Sequence, residues 1–80
     1  MKLPLNLRRE NLLRAALKVV KERGFEHLTC REVAKAAGCS TNTAARMFGN
    51  REILAHSLIN YARLMNEKEI VTLGVRLWKS

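Results

Sequence analysis

The spacing of apolar residues predicts helices along most of the chain. Between Asn6 and Gly24 apolar side chains recur every three or four residues, which is the period of one helix face. This face extends to Phe25, the residue after Gly24. Its residues are Leu7, Leu12, Leu13, Ala16, Leu17, Val20 and Phe25. Asn6 is a candidate N-cap, and Gly24 can adopt the left-handed backbone that ends a helix. The pattern therefore predicts a first helix between these two residues.

A second helix is marked by the residues that begin and end it. Thr29 and Glu32 have the spacing of a capping box, in which the hydroxyl and the carboxylate bond reciprocally across the first turn. The helical pattern continues through Ala37. Gly38 then provides a residue that tolerates a left-handed backbone. We expect the helix to end there.

Two more helices follow the same logic. Ser40 or Thr41 can cap a third helix, which runs to about Phe48 before the break at Gly49. Asn50 can cap a fourth. The apolar residues that this fourth helix carries are Ile53, Leu54, Leu58, Tyr61 and Met65.

Residues 69–80 fit two secondary structures. The residues with the alternation of a strand are Val71, Leu73, Val75 and Leu77. The residues with helical spacing are Ile70, Leu73, Leu77 and Trp78. Gly74 weakens both interpretations. We favour a helix, because a lone strand has no sheet to join.

Gly38 makes the middle of the pattern specific. Two short helices that meet at a tight turn and cross steeply form a helix-turn-helix. Gly38 suits the turn, and Ala34 is the small residue that a close crossing requires. The apolar residues expected on the inner faces are Val33, Ala37, Cys39, Ala44 and Met47. Together these positions predict a helix-turn-helix in the second and third helices.

The outward face of the third helix is unusual for a solvated helix. Its residues are Thr41, Asn42, Thr43, Ala45 and Arg46. Solvated faces favour Glu, Lys and Gln, and this face has none of them. Short side chains would let the helix enter a DNA major groove about 12 Å wide, with Arg46 as the long side chain that reads the bases.

Composition and charge support this interpretation. The chain has 80 residues, of which 48% are apolar, enough for one small core. Fifteen Lys and Arg against seven Asp and Glu give a net charge of +8, which favours nucleic acid first and an anionic membrane second. No apolar run approaches the roughly 18 residues of a membrane span, and we see no secretory signal. Two cysteines suit a reducing cytosol, so we expect a cytoplasmic protein.

We predict no catalytic site, no metal and no cofactor. The chain has no Asp, no glycine-rich phosphate loop and no recognisable nucleophile–base pairing. His27, Cys30, Cys39 and His56 lack the C-x2-C or H-x3-H spacing of a zinc site. The cysteines have places in the turn and the core instead.

Residues 13–58 resemble the N-terminal DNA-binding region of the TetR-family transcriptional repressors. The matching elements are an Ala-rich first helix, "GFEHLT" before the second, "VAKAAGCS" through the turn and "MFGNREIL" at the fourth. The resemblance implies an all-α fold, a homeodomain-like bundle of four to five helices containing the helix-turn-helix.

The resemblance also implies particular DNA contacts. By it, Thr29 and Thr43 meet phosphates, Ser40 caps its helix and touches a phosphate, and Arg51 stands where the family has a phosphate-contacting lysine. The resemblance also implies four candidates for contacts with bases: Arg31, Thr41, Asn42 and Arg46. Ala45 departs from the family, which usually has a tyrosine that braces against the DNA backbone.

We divide the chain into a helix-turn-helix domain, residues 1–66, and a short C-terminal segment, residues 67–80. Family members continue into a long helical domain that binds an inducer and forms the dimer. These 80 residues have no counterpart of it, so we expect no small-molecule inducer. Two roles stay open for the C-terminal segment. It could fold back on the first helix to complete the core, or form a symmetric dimer contact, which we favour because a lone domain would bind weakly.

The function we expect is sequence-specific binding of double-stranded DNA through the major groove by a probable homodimer. We favour a repressor that occupies an operator, of a size that suits a phage or plasmid. One alternative is a protein-interaction adaptor on the same scaffold, docking on polymerase or another regulator; the missing tyrosine at Ala45 keeps it open. A second alternative is an architectural or activating DNA-binding factor.

Overall fold

The computed structural model describes residues 5–78, which form five α-helices and a short 3-10 helix without any strand. The helices are α1 (Leu5–Arg23), the 3-10 helix (Phe25–His27), α2 (Cys30–Ala37), α3 (Thr41–Phe48), α4 (Arg51–Leu64) and α5 (Lys68–Leu77). This confirms the all-α class and the choice of helix for the C-terminal segment. The predicted N-cap at Asn6 is wrong, because the α1 backbone is already helical at Leu5.

The turn between α2 and α3 is the predicted one. Gly38 has φ 75° and ψ 29°, which is the left-handed conformation. The Cys39 N–H donates to the Ala34 carbonyl at 2.9 Å, and the Gly38 N–H donates to the Lys35 carbonyl at 3.3 Å. This pair of bonds is the Schellman motif, which satisfies carbonyls that a helix end leaves free. Gly38 is therefore present for its backbone conformation, since a Cβ there would meet no atom within 4 Å.

Side-chain caps begin α3 and α4. Ser40 Oγ accepts a hydrogen bond from the Thr43 N–H at 3.2 Å, and Asn50 Oδ1 accepts one from the Ile53 N–H at 2.9 Å. Ser40 is thus the cap of α3, and Thr41 is the first residue inside the helix.

The capping box of α2 forms only in part. Thr29 Oγ1 accepts a hydrogen bond from the Glu32 N–H at 3.1 Å, as predicted. The Glu32 carboxylate does not complete the reciprocal bond; it accepts one from Arg23 Nη1 at 3.0 Å. The charged guanidinium at the end of α1 is a stronger partner for a carboxylate than a neutral backbone N–H.

One core joins the helices. Its largest fully buried side chains are Phe48, Leu12, Leu28, Leu54, Leu58 and Val33. Ala34 and Ala44 are buried where α2 and α3 cross, and Cys39 and Met47 pack against the core from partly buried positions. The prediction that Ala37 faces inward is wrong: it is exposed at the end of α2, because the core covers the apolar face of this helix only as far as Ala34.

The helix α5 packs chiefly against α4 rather than back along α1. Ile70 is buried in the core, and a Cβ on Gly74 would lie 2.5 Å from Ile59 Cγ1 and 3.2 Å from Phe25 Cζ. The missing side chain of Gly74 therefore allows α5 to approach α4 closely. Asn66, with φ 58°, turns the chain between these two helices. The dimer contact proposed for this segment stays a prediction.

Candidate nucleic-acid interface

The third helix carries an exposed, mostly short-chained face. Thr41, Asn42 and Arg46 are exposed on α3, whereas Thr43 and Ala45 are half-buried. Asn42 and Arg46 are four residues apart and so lie one above the other on the same side of the helix. This face can present one amide and one guanidinium side by side, the two groups that read base edges in pairs of hydrogen bonds.

Two predicted phosphate contacts lie together at the start of α3. Ser40 Oγ and Thr43 Oγ1 are 2.9 Å apart and share a hydrogen bond. The same Ser40 oxygen also accepts from the Thr43 N–H. Helix N-termini carry a partial positive charge that favours anions. The two hydroxyls therefore stand where a phosphate would be attracted, each already oriented by the other.

The start of α2 carries two other candidates. Thr29 is half-buried and its hydroxyl oxygen is occupied by the N-cap bond. Arg31 is exposed in the first turn of the helix. Arg31 can therefore reach outward, while Thr29 can offer a phosphate the hydroxyl proton that its cap bond leaves free.

Arg51 differs from the other candidates because its guanidinium already has partners in its own chain. Its Nε donates to the Leu28 carbonyl at 2.9 Å, and its Nη2 donates to the Phe25 and Glu26 carbonyls at 3.0 and 3.3 Å. The guanidinium carbon also lies 5.4 Å from the centre of the Trp78 ring. A phosphate contact by Arg51 stays a prediction, and it would have to coexist with these bonds.

Sequence reasoning missed this arrangement of Arg51. Its carbonyl partners lie 23 to 26 residues away, so no local motif announces them. Arg9 provides a similar case: its guanidinium lies 5.3 Å from the centre of the Phe48 ring and its Nη2 donates to Ser57 Oγ at 3.2 Å. Both guanidiniums lie over aromatic rings from distant parts of the chain.

The remaining polar chemistry is modest. Burial raises the pKa of the Cys30 thiol, so Cys30 is a protonated, weakly reactive thiol at neutral pH. Within residues 5–78 no three His, Cys, Asp or Glu side chains come together as metal ligands. In the same range, no helix has both the length and the apolar character to cross a bilayer.

The sequence profile described as "Bacterial regulatory proteins, tetR family" matches residues 12–58. This chain belongs to the TetR family. The match runs from the middle of α1 into α4 and includes every predicted DNA contact. Searches of curated proteins and of solved structures gave no match. Family membership confirms the resemblance and assigns the chain to the DNA-binding transcription regulators, which are not a family of enzymes.

Proposed function

We propose that this protein is a transcriptional repressor that occupies a DNA operator. The observation that carries the proposal is the exposed face of α3, in a helix-turn-helix that belongs to the TetR family. A domain of this kind represses by covering DNA that polymerase needs. Neither catalysis nor a cofactor is required for that action. The natural setting would be the cytosol of a bacterium or of a phage-infected cell.

The proposed base contacts follow from side-chain chemistry. Arginine pairs best with the two acceptors of guanine, and asparagine pairs with the acceptor and donor of adenine. Arg46 and Asn42 would make these contacts from α3, while the methyl group of Thr41 suits a thymine. Arg31 would reach a base or the groove edge from the start of α2.

The proposed phosphate contacts are less specific for sequence and serve to orient the domain. Ser40 and Thr43 would hold one phosphate at the start of α3, and Thr29 another at the start of α2. Arg51 would add a charge near the start of α4. The net charge of +8 supports attraction to the phosphate backbone over a longer range.

We also propose that the protein binds its operator as a homodimer through α5. Leu73 and Leu77 are 47% and 61% exposed, and Glu69 and Arg76 are exposed on the same stripe of the helix. Two antiparallel copies of α5 crossing at Leu73 would bring Glu69 of each copy close to Arg76 of the other. Such self-complementarity is what a two-fold interface requires.

The test of the operator is selection of bound sites from a random DNA pool at about 50 and 200 mM salt. We expect an inverted repeat with half-sites roughly 10 bp apart. Arg46→Ala should weaken binding to that site by about 1–3 kcal/mol and relax preference at one position. Arg63→Ala, which removes an exposed arginine from α4, is the matched control. An unchanged preference in Arg46→Ala would refute the assigned face.

The test of the dimer is a charge exchange on α5, read by analytical ultracentrifugation. Glu69→Arg and Arg76→Glu should each weaken association, and the double variant should restore it. Glu22→Arg makes the same change in charge on α1 and serves as the control. Single variants that associate like the wild-type protein would exclude this interface while leaving DNA binding by one half-site intact.

A protein-interaction adaptor is the second candidate. The observation in its favour is exposed apolar surface near the end of α4, where Leu64 is 79% and Met65 48% exposed. A docking partner such as polymerase or another regulator would cover it. If the selection yields no motif and binding collapses at the higher salt, only phosphate attraction remains and the adaptor becomes the working hypothesis. Recovery of a motif without repression in a promoter assay would favour an architectural or activating factor.

A further inference from the structure

We infer that Arg51 is a positioning residue for the DNA contacts of α2, and that Trp78, the residue that ends α5, holds it in place. The inference rests on the proposed function, because it concerns how Thr29 and Arg31 are presented to DNA. It differs from the role implied by family resemblance, in which the residue at this position contacts a phosphate itself.

The bonds of Arg51 reach the segment that leads into α2. Its guanidinium binds the carbonyls of Phe25, Glu26 and Leu28, which span the 3-10 helix and the residue after it. The next residue, Thr29, is the N-cap of α2. Arg51 therefore fixes the backbone immediately before the helix whose first turn carries the candidate contacts.

The same segment is anchored on its other side by the core. The side chain of Leu28 is fully buried and that of Phe25 is 4% exposed. Backbone carbonyls between two buried side chains have little freedom to follow a moving partner. A charged donor that binds three of them thus locks α4 and the start of α2 into one relative position.

Trp78 completes the arrangement from α5. Its ring lies over the Arg51 guanidinium at 5.4 Å and contacts the Phe25 ring with 5.5 Å between centroids. The Arg51 side chain stays exposed, so the indole does not bury its charge; cation–π attraction adds to the bonds with the carbonyls. Trp78 lies outside residues 12–58, so a residue beyond the family match supports the DNA-reading unit.

Arg51→Lys separates positioning from direct phosphate contact. Lysine keeps the charge and is the family's residue at this place, so a phosphate contact would survive. It lacks the planar fork of donors that binds several carbonyls at once, so positioning would be lost. We expect Arg51→Lys to weaken specific binding by about tenfold, the size of an ordinary coupled interaction, without flattening the salt dependence. Wild-type affinity in Arg51→Lys would instead indicate a direct phosphate contact and would refute positioning.

A double-mutant cycle shows which contacts Arg51 serves. If it acts through the start of α2, Arg51→Lys should have a much smaller effect when Arg31 is already alanine. It should keep its full effect when Arg46, on α3, is alanine. Additive effects in both backgrounds would refute positioning and would indicate a general loss of stability.

Trp78→Ala provides the independent variant, in case Arg51→Lys folds poorly. It should weaken DNA binding with an unchanged salt slope, whereas Val75→Ala, at an exposed position of α5 outside the proposed dimer stripe, should leave binding intact. Wild-type affinity in Trp78→Ala would refute the role of α5.

Amide hydrogen exchange at Leu28, Glu32 and Val33, whose N–H groups are hydrogen-bonded within this segment, tests without DNA whether Arg51 orders it. Exchange there should be faster in both Arg51→Lys and Trp78→Ala, and unchanged exchange would overturn the inference. If the wild-type protein binds no DNA in the site selection, the proposed function fails, and the claim about DNA contacts fails with it. Exchange data then still decide whether Arg51 orders this segment.

Discussion

The pairs α2–α3 and α4–α5 each bring two helices close together, but they leave different surfaces exposed. In α2–α3 the turn is made by Gly38, and the outward side chains of α3 are short and polar apart from Arg46. In α4–α5 the turn is made by Asn66. The side chains left outside this pair include Leu64, Met65, Leu73 and Leu77.

Small residues allow the close approach in both pairs, for related reasons. Ala34 is buried at the first crossing, and Gly74 is buried at the second, where even a methyl group would collide with Ile59. The exposed surfaces suit different partners, because polar side chains can exchange water for phosphates and bases, whereas apolar ones favour a partner that is itself apolar. One small core thus supports two surfaces of opposite character.

Removing the buried anchor of α5 should have the largest effect on stability. Ile70→Ala deletes a side chain that is 6% exposed, and such truncations cost about 2–5 kcal/mol. Val75→Ala, at an exposed position of the same helix outside the proposed dimer stripe, should cost less than about 1 kcal/mol. Urea unfolding followed by circular dichroism measures both. A loss in Ile70→Ala as small as that of the control would mean that α5 adds little to the core.

Filling the space at Gly74 should have the next largest effect. A Cβ 2.5 Å from Ile59 Cγ1 forces a shift in a packed interior, so Gly74→Ala should destabilise by about 1–3 kcal/mol, less any gain in helix propensity. Ile59→Ala removes the colliding atoms. The double variant should therefore be more stable than the sum of the single effects predicts. Thermal unfolding that shows simple additivity would refute steric contact as the reason for this glycine.

The α2–α3 region could be predicted from sequence because its signals are local. Gly38 stands next to the helix that it ends, and the caps Ser40 and Asn50 lie three residues from the N–H groups that they bind. Ala37 was misassigned because it has the helical spacing of a core residue, but the core covers α2 only as far as Ala34. The helical period alone does not contain that information.

The contacts of α4 and α5 could not be predicted, because they depend on residues far apart in sequence. Arg51 binds carbonyls more than twenty residues away, and Gly74 is required by Ile59 and Phe25. The residues next to Arg51 and Gly74 in the sequence do not indicate these contacts. Of the α3 residues predicted to stand outward, Thr41, Asn42 and Arg46 are exposed, whereas Thr43 and Ala45 are half-buried. The structure added that the candidates Thr29, Ser40, Thr43 and Arg51 are already hydrogen-bonded.

Gly38 should respond to substitution for a different reason than Gly74. Space is open around it, so only the left-handed backbone penalises a side chain, by roughly 1–2 kcal/mol for alanine. Gly38→Asn should lose less, because asparagine tolerates this conformation better. Chemical denaturation of the two variants makes the comparison. If alanine and asparagine are equally harmful, the conformational explanation is wrong.

The smallest effect should come from the ion pair that replaces half of the α2 capping box. Arg23 and Glu32 are 57% and 30% exposed in their side chains, and pairs so exposed contribute about 0.2–1 kcal/mol. Arg23→Gln should therefore destabilise only slightly, and less at high salt, because exposed charges are screened. Thr29→Ala removes the cap itself and should cost about 1 kcal/mol at any salt concentration. Denaturation of both variants at low and high salt separates them. A salt-independent loss in Arg23→Gln would mean that Arg23 acts by packing rather than by charge.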